Sequence, residues 1–594
     1  MLKRFLLAFA APMSLGACAT IVAEPVADPA ANIRPERGMV SAADPRAAQA
    51  GVAMLRAGGN ATDAALATMI ALTVVEPQSS GIGGGGFLVL DPEGDGDPTT
   101  YDGRETAPAA ATPDWFLDAE GQPLAFRTAV ESGLSVGVPG NIALAAKAHA
   151  EHGALPWAAL FDPAIALARD GFVVGPRLRV SLDANRSTGG GMSVEARALF
   201  FGEDGEPVPV GTTLRNPALA AFLERVAAEG PQAFQTGANA IAIARTVEQH
   251  MPARRRPVSG TEGGVAVPLV KLPDAMTTDD IANYEAKERI SRCGTYRAFL
   301  VCGMGPPSSG ATTVFAILKQ LEPVDMAAHR PENPVAWHLI AESMRLAFAD
   351  RGRWLGDPDF VSVPTAGLMD GGYLLRRGAA IRADTTIARP EPGLPPGAGA
   401  IMGQSATQPE NGTSHFVAVD GDGGVASYTS TVESAFGSGL MVNGYYLNNE
   451  LTDFDFAPVS NGMLVANRVE PGKRPRSSMS PAIVYGPDGA FRLAIGAAGG
   501  ATIIAQVAKA LVGVIDWGLT AQAAIDLPVI FAPGDTVWVE QGTTLEAMIP
   551  ALRALGHADV RARPPGFKAN AVELVDGAYA GAADSRSEGM AVSE

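Results

Sequence analysis

A proline- and glycine-rich segment at residues 385–412 constrains the fold of this chain more than any other feature. Such a composition contributes no hydrophobic core and predicts an exposed linker. The segment stops at Thr413, where an apolar run at 414–419, a turn at 420–424 and a second apolar run at 425–432 predict a β-hairpin. A linker leading straight into a hairpin is expected if the chain is cut before Thr413, although threonine is also common at ordinary strand starts.

The composition predicts a large folded body and excludes several classes of partner. The chain has 594 residues, of which 47% are hydrophobic and 18% are charged, so it has room for several ordinary domains or one large α/β body. Its formal net charge is −18. Nucleic acids and anionic membranes both attract a basic protein surface, and we therefore expect neither as the main partner.

The first residues have the pattern of an export signal. Lys3 and Arg4 precede an apolar run at 5–15 that is too short to span a bilayer. The run ends in Leu-Gly-Ala-Cys, which resembles the site where bacterial lipoproteins are cut and acylated. We expect a signal peptide at 1–17, acylation of Cys18 and a bacterial periplasmic location with a lipid anchor in the outer membrane as the only membrane contact. An ordinary signal peptide with a chance cysteine is the alternative.

Two further cysteines, Cys293 and Cys302, flank a short strand-like stretch. In an oxidising compartment they could form a disulfide between neighbouring strands, and two free, partly buried thiols are the alternative. The sequence contains seven scattered histidines and neither a Cys-x-x-Cys nor a His-Glu-x-x-His motif. We therefore expect no metal and no cofactor.

Periodicity and turn signals predict elements around the hairpin. Helices are expected at 47–55, 63–75 and 337–354, and paired strands at 87–90 and 99–104. The glycine-rich run before the first of these strands does not indicate a nucleotide site. The glycines of a dinucleotide-binding motif follow a strand and open a helix, whereas these precede a strand. We expect a tight turn in which two backbone segments approach closely.

The motifs make the chain similar to the γ-glutamyltranspeptidases over residues 38–594. Arg-Glu-Thr-Ala-Pro at 104–108 and Asn-Gly-Thr-Ser-His-Phe at 411–416 are two of many stretches that match in order, far more than chance provides. The other stretches are 38–41, 58–64, 81–87, 136–140, 306–310, 347–351, 447–450, 473–481 and 499–500.

The resemblance implies the four-layer αββα sandwich of the N-terminal-nucleophile hydrolases, an α/β fold in which two stacked sheets lie between helices. It also implies that the precursor cuts itself between Gly412 and Thr413. The larger product would be residues 18–412, with 385–412 as its flexible end. The smaller, catalytic product would be residues 413–594, and the two would remain together as subunits of one enzyme.

Cleavage of an amide needs a nucleophile, a base and stabilisation of the oxyanion. If Thr413 becomes a chain terminus, its hydroxyl is the nucleophile and its α-amine, with an ordinary pKa of about 7.7–8.0, is the base. This arrangement requires no histidine. The resemblance implies that Thr431 hydrogen-bonds Thr413. It places the oxyanion hole at the backbone N–H groups of Gly499 and Gly500, while Gly412 leaves room for the attack that cuts the precursor.

The resemblance also implies a pocket for a γ-glutamyl group, which carries an α-carboxylate and an α-ammonium. Arg104 matches the arginine that binds the carboxylate, and a guanidinium fork suits that ligand. The segment between Asp453 and Ser477 is shorter than in relatives that use it as a lid, which predicts an open pocket. Hydroxyl partners of the carboxylate are expected at Ser477 and Ser478, and acidic partners of the ammonium at Glu433, Glu450 and Asp453. A solvated acidic rim is the alternative for these three acidic residues.

The predicted activity is cleavage of glutathione and other γ-glutamyl compounds, with transfer of the γ-glutamyl group to an amino acid, a dipeptide or water. An acylase of the same family that acts on glutaryl side chains, as in cephalosporin precursors, is the first alternative. A glutaryl group has no α-ammonium, so the three acidic residues would be misplaced for it. A catalytically inactive envelope lipoprotein that only binds such ligands is the second alternative.

Overall fold

Two antiparallel sheets lie at the centre of the computed structural model, which describes residues 37–252, 261–262, 265–266, 275–405, 412–566 and 568–594. The first sheet has seven strands, and the predicted hairpin occupies its middle. In spatial order the strands are Met590–Ser593, Met39–Ala42, Ser414–Val419, Val425–Thr431, Gly85–Asp91, Thr99–Gly103 and Lys287–Ile290. Hairpin strands at the centre of a sheet are buried on both faces, which explains their nearly continuous apolar character.

The second sheet has six strands and is also antiparallel. In spatial order its strands are Ala578–Ala583, Lys568–Val575, Phe491–Ala498, Ala482–Tyr485, Phe299–Gly303 and Arg292–Tyr296. The two cysteines occupy facing positions on the last two strands, and a disulfide joins Cys293 to Cys302. Of the two alternatives left by the sequence, the disulfide is therefore the one found.

Successive side chains of the central hairpin divide between two cores. Phe416 and Ala418 pack into a core formed with helices of the first outer layer. Val417 and Val419 point the other way, into a core that includes Ile483 of the second sheet. The strand is therefore covered by helices on one face and by the second sheet on the other, as the predicted αββα sandwich requires.

Helices cover the outer face of each sheet. Those that share the core of the first sheet include Pro45–Arg56, Ala61–Val75, Asn141–His152, Asp162–Asp170 and Pro217–Glu229. Those that share the core of the second sheet include Gly310–Leu321, Pro334–Trp354 and Thr502–Ile515. The remaining α-helices are Phe126–Val130, Pro176–Ala184, Val194–Phe200, Gln232–Gln235, Gly237–Gln249, Thr278–Ala282, Thr365–Leu368, Gly371–Gly378, Ala521–Asp526, Thr544–Ala547 and Ile549–Ala554.

Short strands form small sheets outside the sandwich. Ile530–Phe531, Thr536–Glu540 and Asp559–Arg563 make a three-stranded sheet. The two-stranded pairs are Phe172–Val173 with Thr213–Leu214, Thr261–Glu262 with Val265–Ala266, Met441–Val442 with Tyr445–Tyr446, and Val459–Ser460 with Met463–Leu464. The last pair lies in the segment between Asp453 and Ser477 that was expected to leave the pocket open.

The local predictions around the hairpin are confirmed. Asn60 caps the helix Ala61–Val75, and its side chain and that of Asp63 form a reciprocal capping box. The glycine-rich run makes the expected close approach: a Cβ atom on Gly84 would lie 1.9 Å from the carbonyl oxygen of Thr431. Only glycine permits this contact, which brings the turn against the end of a hairpin strand.

The predicted export signal at 1–17 and the predicted acylation site at Cys18 lie outside the described residues. Within the part of the chain that the structure describes, no helix is both long enough and apolar enough to cross a bilayer.

Candidate active site

The hairpin places two threonine hydroxyls in contact. Ser414 pairs with Ser430 across the hairpin, so Thr413 and Thr431 lie side by side at its open end. Their Oγ1 atoms are 3.0 Å apart. The backbone N–H of Glu433 donates to Thr431 Oγ1 at 2.8 Å, which fixes that hydroxyl beside Thr413. This is the contact that the sequence predicts for the two threonines.

The backbone is strained at Thr413. Its φ angle is 151°, a value that a β-branched residue rarely adopts. A backbone outlier of this kind costs roughly 1–3 kcal/mol and persists only where the surrounding structure holds it. The preceding residue has no alternative to glycine, because a Cβ atom on Gly412 would lie 2.3 Å from the carbonyl oxygen of Glu433. The strain therefore lies at Thr413, the residue that directly follows the peptide bond where cleavage is predicted.

A small cavity beside Thr413 collects most of the predicted site residues. Its volume is about 10 Å³, close to the roughly 10–15 Å³ that a cavity needs to hold one water molecule. Gly412 forms part of its wall, so this is the cavity of the uncleaved chain, and the open pocket expected from the short segment 453–477 stays a prediction for the processed enzyme. The lining residues are Arg104, Gly412, Thr413, Thr431, Glu433, Glu450, Asp453, Ser477 and Met479.

In this uncleaved chain, the residues predicted to bind opposite ends of the ligand are paired with one another. The Arg104 guanidinium donates to carboxylate oxygens of Glu450 and Asp453. Its Nε atom donates to the carbonyl oxygen of Pro475 at 3.1 Å. Burial alone would lower the pKa of Arg104, but the two carboxylates outweigh it and raise that pKa above its ordinary value. Burial raises the pKa of the Glu450 and Asp453 carboxyl groups.

Glu105 is a buried acidic residue of this cluster that the sequence reasoning did not single out. Neither of its carboxylate oxygens reaches a donor at normal hydrogen-bond geometry among the described residues. Burial raises the pKa of Glu105 to about 8, against the opposing effect of Arg104. The sequence feature that could have identified Glu105 is its position directly after Arg104, in a motif that matches the family. The cluster therefore holds more acidic groups than one arginine neutralises.

Ser478 lies just outside the cavity wall, and an arginine orients it. Arg351 donates from Nη2 to Ser478 Oγ at 2.7 Å and from Nε to Ser309 Oγ at 2.8 Å. Ser309 in turn donates to the carbonyl oxygen of Ser477 at 2.6 Å. The loop that carries both predicted serines is thus held from behind by the helix Pro334–Trp354.

Gly499 and Gly500 connect the strand Phe491–Ala498 to the helix Thr502–Ile515. Their φ angles are 125° and 61°, which favour glycine. Neither residue lines the cavity of the uncleaved chain. The oxyanion-hole role therefore stays a prediction, although a helix N-terminus with two glycines is suited to stabilising negative charge.

Histidines play no part in the cavity wall. One buried group of metal-ligand type exists among the described residues, formed by His338, Glu342 and His557. His338 Nδ1 lies 2.8 Å from His557 Nε2, while the other nitrogen of His557 faces Glu342 at 3.8 Å. Each of the three residues offers one ligand atom, and these atoms all lie within 4.8 Å of one another.

The chain is similar to known proteins along most of its length. The profile of the γ-glutamyltranspeptidase family matches residues 47–593. The chain belongs to the γ-glutamyltranspeptidase family. The glutathione hydrolase proenzyme of Escherichia coli K12 is 36% identical over 591 residues, which cover 96% of each chain.

Solved structures of relatives agree with the fold. A cephalosporin acylase from Bacillus halodurans superposes with a TM-score of 0.78 at 26% identity, covering 94% of this chain and 96% of the acylase. The γ-glutamyltranspeptidase of Helicobacter pylori is 31% identical with a TM-score of 0.54, and the match covers 60% of this chain but 95% of the Helicobacter chain. This chain is therefore an enzyme of the γ-glutamyltranspeptidase family, with an N-terminal-nucleophile hydrolase fold.

Proposed function

We propose that this chain is a precursor that cuts itself and then acts as a γ-glutamyltransferase and glutathione hydrolase. The contact between Thr413 Oγ1 and Thr431 Oγ1 at 3.0 Å, together with the strained φ angle of Thr413, carries the proposal. Because the chain belongs to the γ-glutamyltranspeptidase family, transfer or hydrolysis of a γ-glutamyl group is the expected reaction. Cleavage after Gly412 would free the α-amine of Thr413, whereas the backbone nitrogen of Thr431 would remain in a peptide bond.

Self-cleavage begins with attack of Thr413 Oγ1 on the carbonyl carbon of Gly412. The carbon–nitrogen bond then breaks, the hydroxyl proton passes to the departing nitrogen, and an ester joins Gly412 to the Thr413 side chain. Water hydrolyses this ester to a Gly412 carboxylate and a free Thr413 hydroxyl. Relief of the strained φ angle at Thr413 favours the forward direction.

Turnover repeats the same chemistry on a substrate. The free α-amine of Thr413 takes the proton from its own hydroxyl as the oxygen attacks the γ-glutamyl amide, and it returns that proton to the leaving amine. A γ-glutamyl ester of Thr413 remains. An amino acid, a dipeptide or water then attacks the ester, which completes transfer or hydrolysis and restores the hydroxyl.

The charge pattern of the cavity supports a γ-glutamyl ligand. When Gly412 leaves, the space beside Thr413 becomes available for the acyl group. Glu450 Oε2 and Asp453 Oδ1 are buried and without hydrogen-bond partners among the described residues, so both can accept from an α-ammonium. Arg104 can then turn its fork to the α-carboxylate with help from Ser477 and Ser478.

The solved relatives also support cleavage into two polypeptides. The Helicobacter chain is 95% covered by a match that takes up only 60% of this chain. A relative of this length is expected if the Helicobacter enzyme consists of two separate cleavage products. The proposed larger product, residues 18–412, accounts for a similar share of the sequence.

A glutaryl acylase is the second candidate, because the Bacillus halodurans acylase is similar along almost the whole chain. A matched pair of p-nitroanilides, γ-glutamyl and glutaryl, separates the two functions, since the substrates differ only by the α-ammonium group. We expect kcat/KM to be higher for the γ-glutamyl compound. A clear preference for the glutaryl compound would make the chain an acylase.

We also propose export to the periplasm with a lipid anchor on Cys18, on the basis of the N-terminal pattern alone. Metabolic labelling with a radioactive fatty acid tests the anchor. The full chain should be labelled and the Cys18→Ser variant should not. Equal labelling of both proteins, or none of either, would contradict the anchor.

A further inference from the structure

A second buried cluster of charged residues contacts Ser414, the residue that directly follows Thr413. Lys568, the first residue of the strand Lys568–Val575, is 2% exposed. Its Nζ atom donates to both carboxylate oxygens of Glu76, at 2.9 and 2.7 Å, to Ser79 Oγ at 3.0 Å and to Ser414 Oγ at 3.1 Å. Buried ions are costly unless they are paired and hydrogen-bonded, and these polar atoms are all used.

Arg177 also contacts the carboxylate of this pair. Arg177 donates from Nε to Glu76 Oε1 at 3.1 Å. Burial alone would raise the pKa of Glu76, but Lys568 and Arg177 outweigh it and hold that pKa below its ordinary value. Burial lowers the pKa of Lys568 to about 7, with Glu76 acting in the opposite direction.

The cluster holds the backbone next to three predicted catalytic positions. Ser414, which donates to Glu76 and accepts from Lys568, directly follows Thr413. The carbonyl oxygen of Ser79 accepts from the backbone N–H of Val432, which directly follows Thr431, at 3.2 Å. Lys568 itself pairs in the second sheet with Ala498, the residue before Gly499.

The strained Thr413 needs such an anchor. Its unusual φ angle would relax by a shift of the neighbouring peptide unless the following residue were fixed. Ser414 is fixed by two side-chain hydrogen bonds within the cluster as well as by its place in the sheet. Misplacement of a reacting group by about 1 Å can cost about 10²-fold in rate.

We infer that Glu76 and Lys568 are positioning residues that act through Ser414 to hold Thr413 in its reactive geometry, first for self-cleavage and then for turnover. This inference rests on the proposed function of Thr413. Neither residue touches the scissile bond. Glu76 and Ser79 precede Gly412 in the chain, whereas Ser414 and Lys568 follow it, so the cluster also joins the two products across the cut.

Ser414→Ala tests the inference with the smallest change. Ser41→Ala is the matched control, because Ser41 is also fully buried in the first sheet and its hydroxyl also makes two hydrogen bonds, one to Ala582 and one from Asn570. Precursor loss is followed on denaturing gels after cell-free synthesis, and kcat and KM are measured on the processed protein. We expect Ser414→Ala to lower both the processing rate and kcat by about tenfold with KM within twofold, and Ser41→Ala to leave all three within twofold.

The double variant Glu76→Met with Lys568→Met tests the charges directly. Replacing a buried ion pair by apolar residues of similar volume is often neutral for stability, so the protein should fold while Ser414 loses its anchor. We expect the same slow processing and low kcat, with little further loss when Ser414→Ala is added. Wild-type rates in Ser414→Ala or in the double variant would overturn the inference, while an uncut wild-type chain would instead overturn the proposed function.

Discussion

Two buried charge clusters flank Thr413, and they differ in how completely their polar atoms are used. Around Lys568, each charged group meets several partners, and the cluster joins neighbouring strands. Around Arg104, one guanidinium faces several carboxyl groups, and buried oxygens of Glu105, Glu450 and Asp453 make no hydrogen bond of normal geometry among the described residues.

This difference indicates that the Lys568 cluster holds the backbone in place, whereas the Arg104 cluster binds the substrate. Every polar atom of a fully hydrogen-bonded buried ion pair already has a partner. Such a pair can hold neighbouring residues in place, but it has no group free to bind a ligand. Buried acceptors without donors are costly in the free protein, and a ligand with an ammonium group would remove that cost. The Lys568 cluster should therefore respond to mutation through rate, and the Arg104 cluster through substrate affinity.

The largest effect is expected for Arg104→Lys in the processed enzyme. Lysine keeps the charge but loses the planar fork that binds a carboxylate in two places. We expect kcat/KM for a γ-glutamyl substrate to fall by about 10²-fold, mainly through KM. Steady-state kinetics check this expectation. A value within threefold of wild type would mean that the fork does not bind the carboxylate.

A smaller effect that depends on the substrate is expected for Glu450→Gln. The change removes one negative charge while keeping the shape of the side chain. We expect kcat/KM to fall about tenfold for the γ-glutamyl anilide and to change little for the glutaryl anilide, which has no ammonium group. Equal losses on both substrates would remove Glu450 from recognition of the ammonium.

The hairpin follows from local patterns in the sequence, whereas the layers of the sandwich were implied by the family resemblance. The apolar runs at 414–419 and 425–432 and the turn between them predict the hairpin, and the periodicity at 63–75 predicts the helix Ala61–Val75. The contact of Thr413 with Thr431 was implied by the family resemblance, and the register of the hairpin provides it.

The charge clusters were less predictable because they depend on residues distant in sequence. Lys568 and Glu76 are separated by 492 positions, and no spacing rule links them. The place of Gly412 in the cavity wall also escaped prediction, because the sequence shows only that the segment 453–477 is short. Glu105 was missed because burial, rather than residue type, makes it unusual.

The pH dependence of stability tests the Arg104 cluster without substrate. The pKa of Glu105 is raised to about 8 in the fold, so its protonated form is favoured there. Its contribution to stability is therefore complete below the unfolded pKa of roughly 4.3 and is lost as pH rises towards 8.

Urea unfolding of a Thr413→Ala precursor with and without Glu105→Gln measures this contribution. We expect the precursor that keeps Glu105 to lose stability relative to Glu105→Gln as pH rises from about 5 to about 8. The same pH dependence in both proteins would show that Glu105 is ionised in the fold.

The smallest effect is expected far from both clusters, at the disulfide. Cys293 and Cys302 close a short loop on the edge of the second sheet, and short loops gain the least from a crosslink. Replacing both by serine should lower the unfolding free energy by about 2 kcal/mol or less and leave kcat and KM unchanged. A loss of activity would mean that this edge supports the site.

The position of the cut tests the central claim most directly. Intact-mass analysis and N-terminal sequencing of the purified protein give both products in one experiment. We predict two polypeptides for the wild type, the smaller beginning at Thr413, and a single inactive chain for Thr413→Ala. An active wild-type protein that remains one chain, a cut at another peptide bond, or normal cleavage of Thr413→Ala would contradict the account.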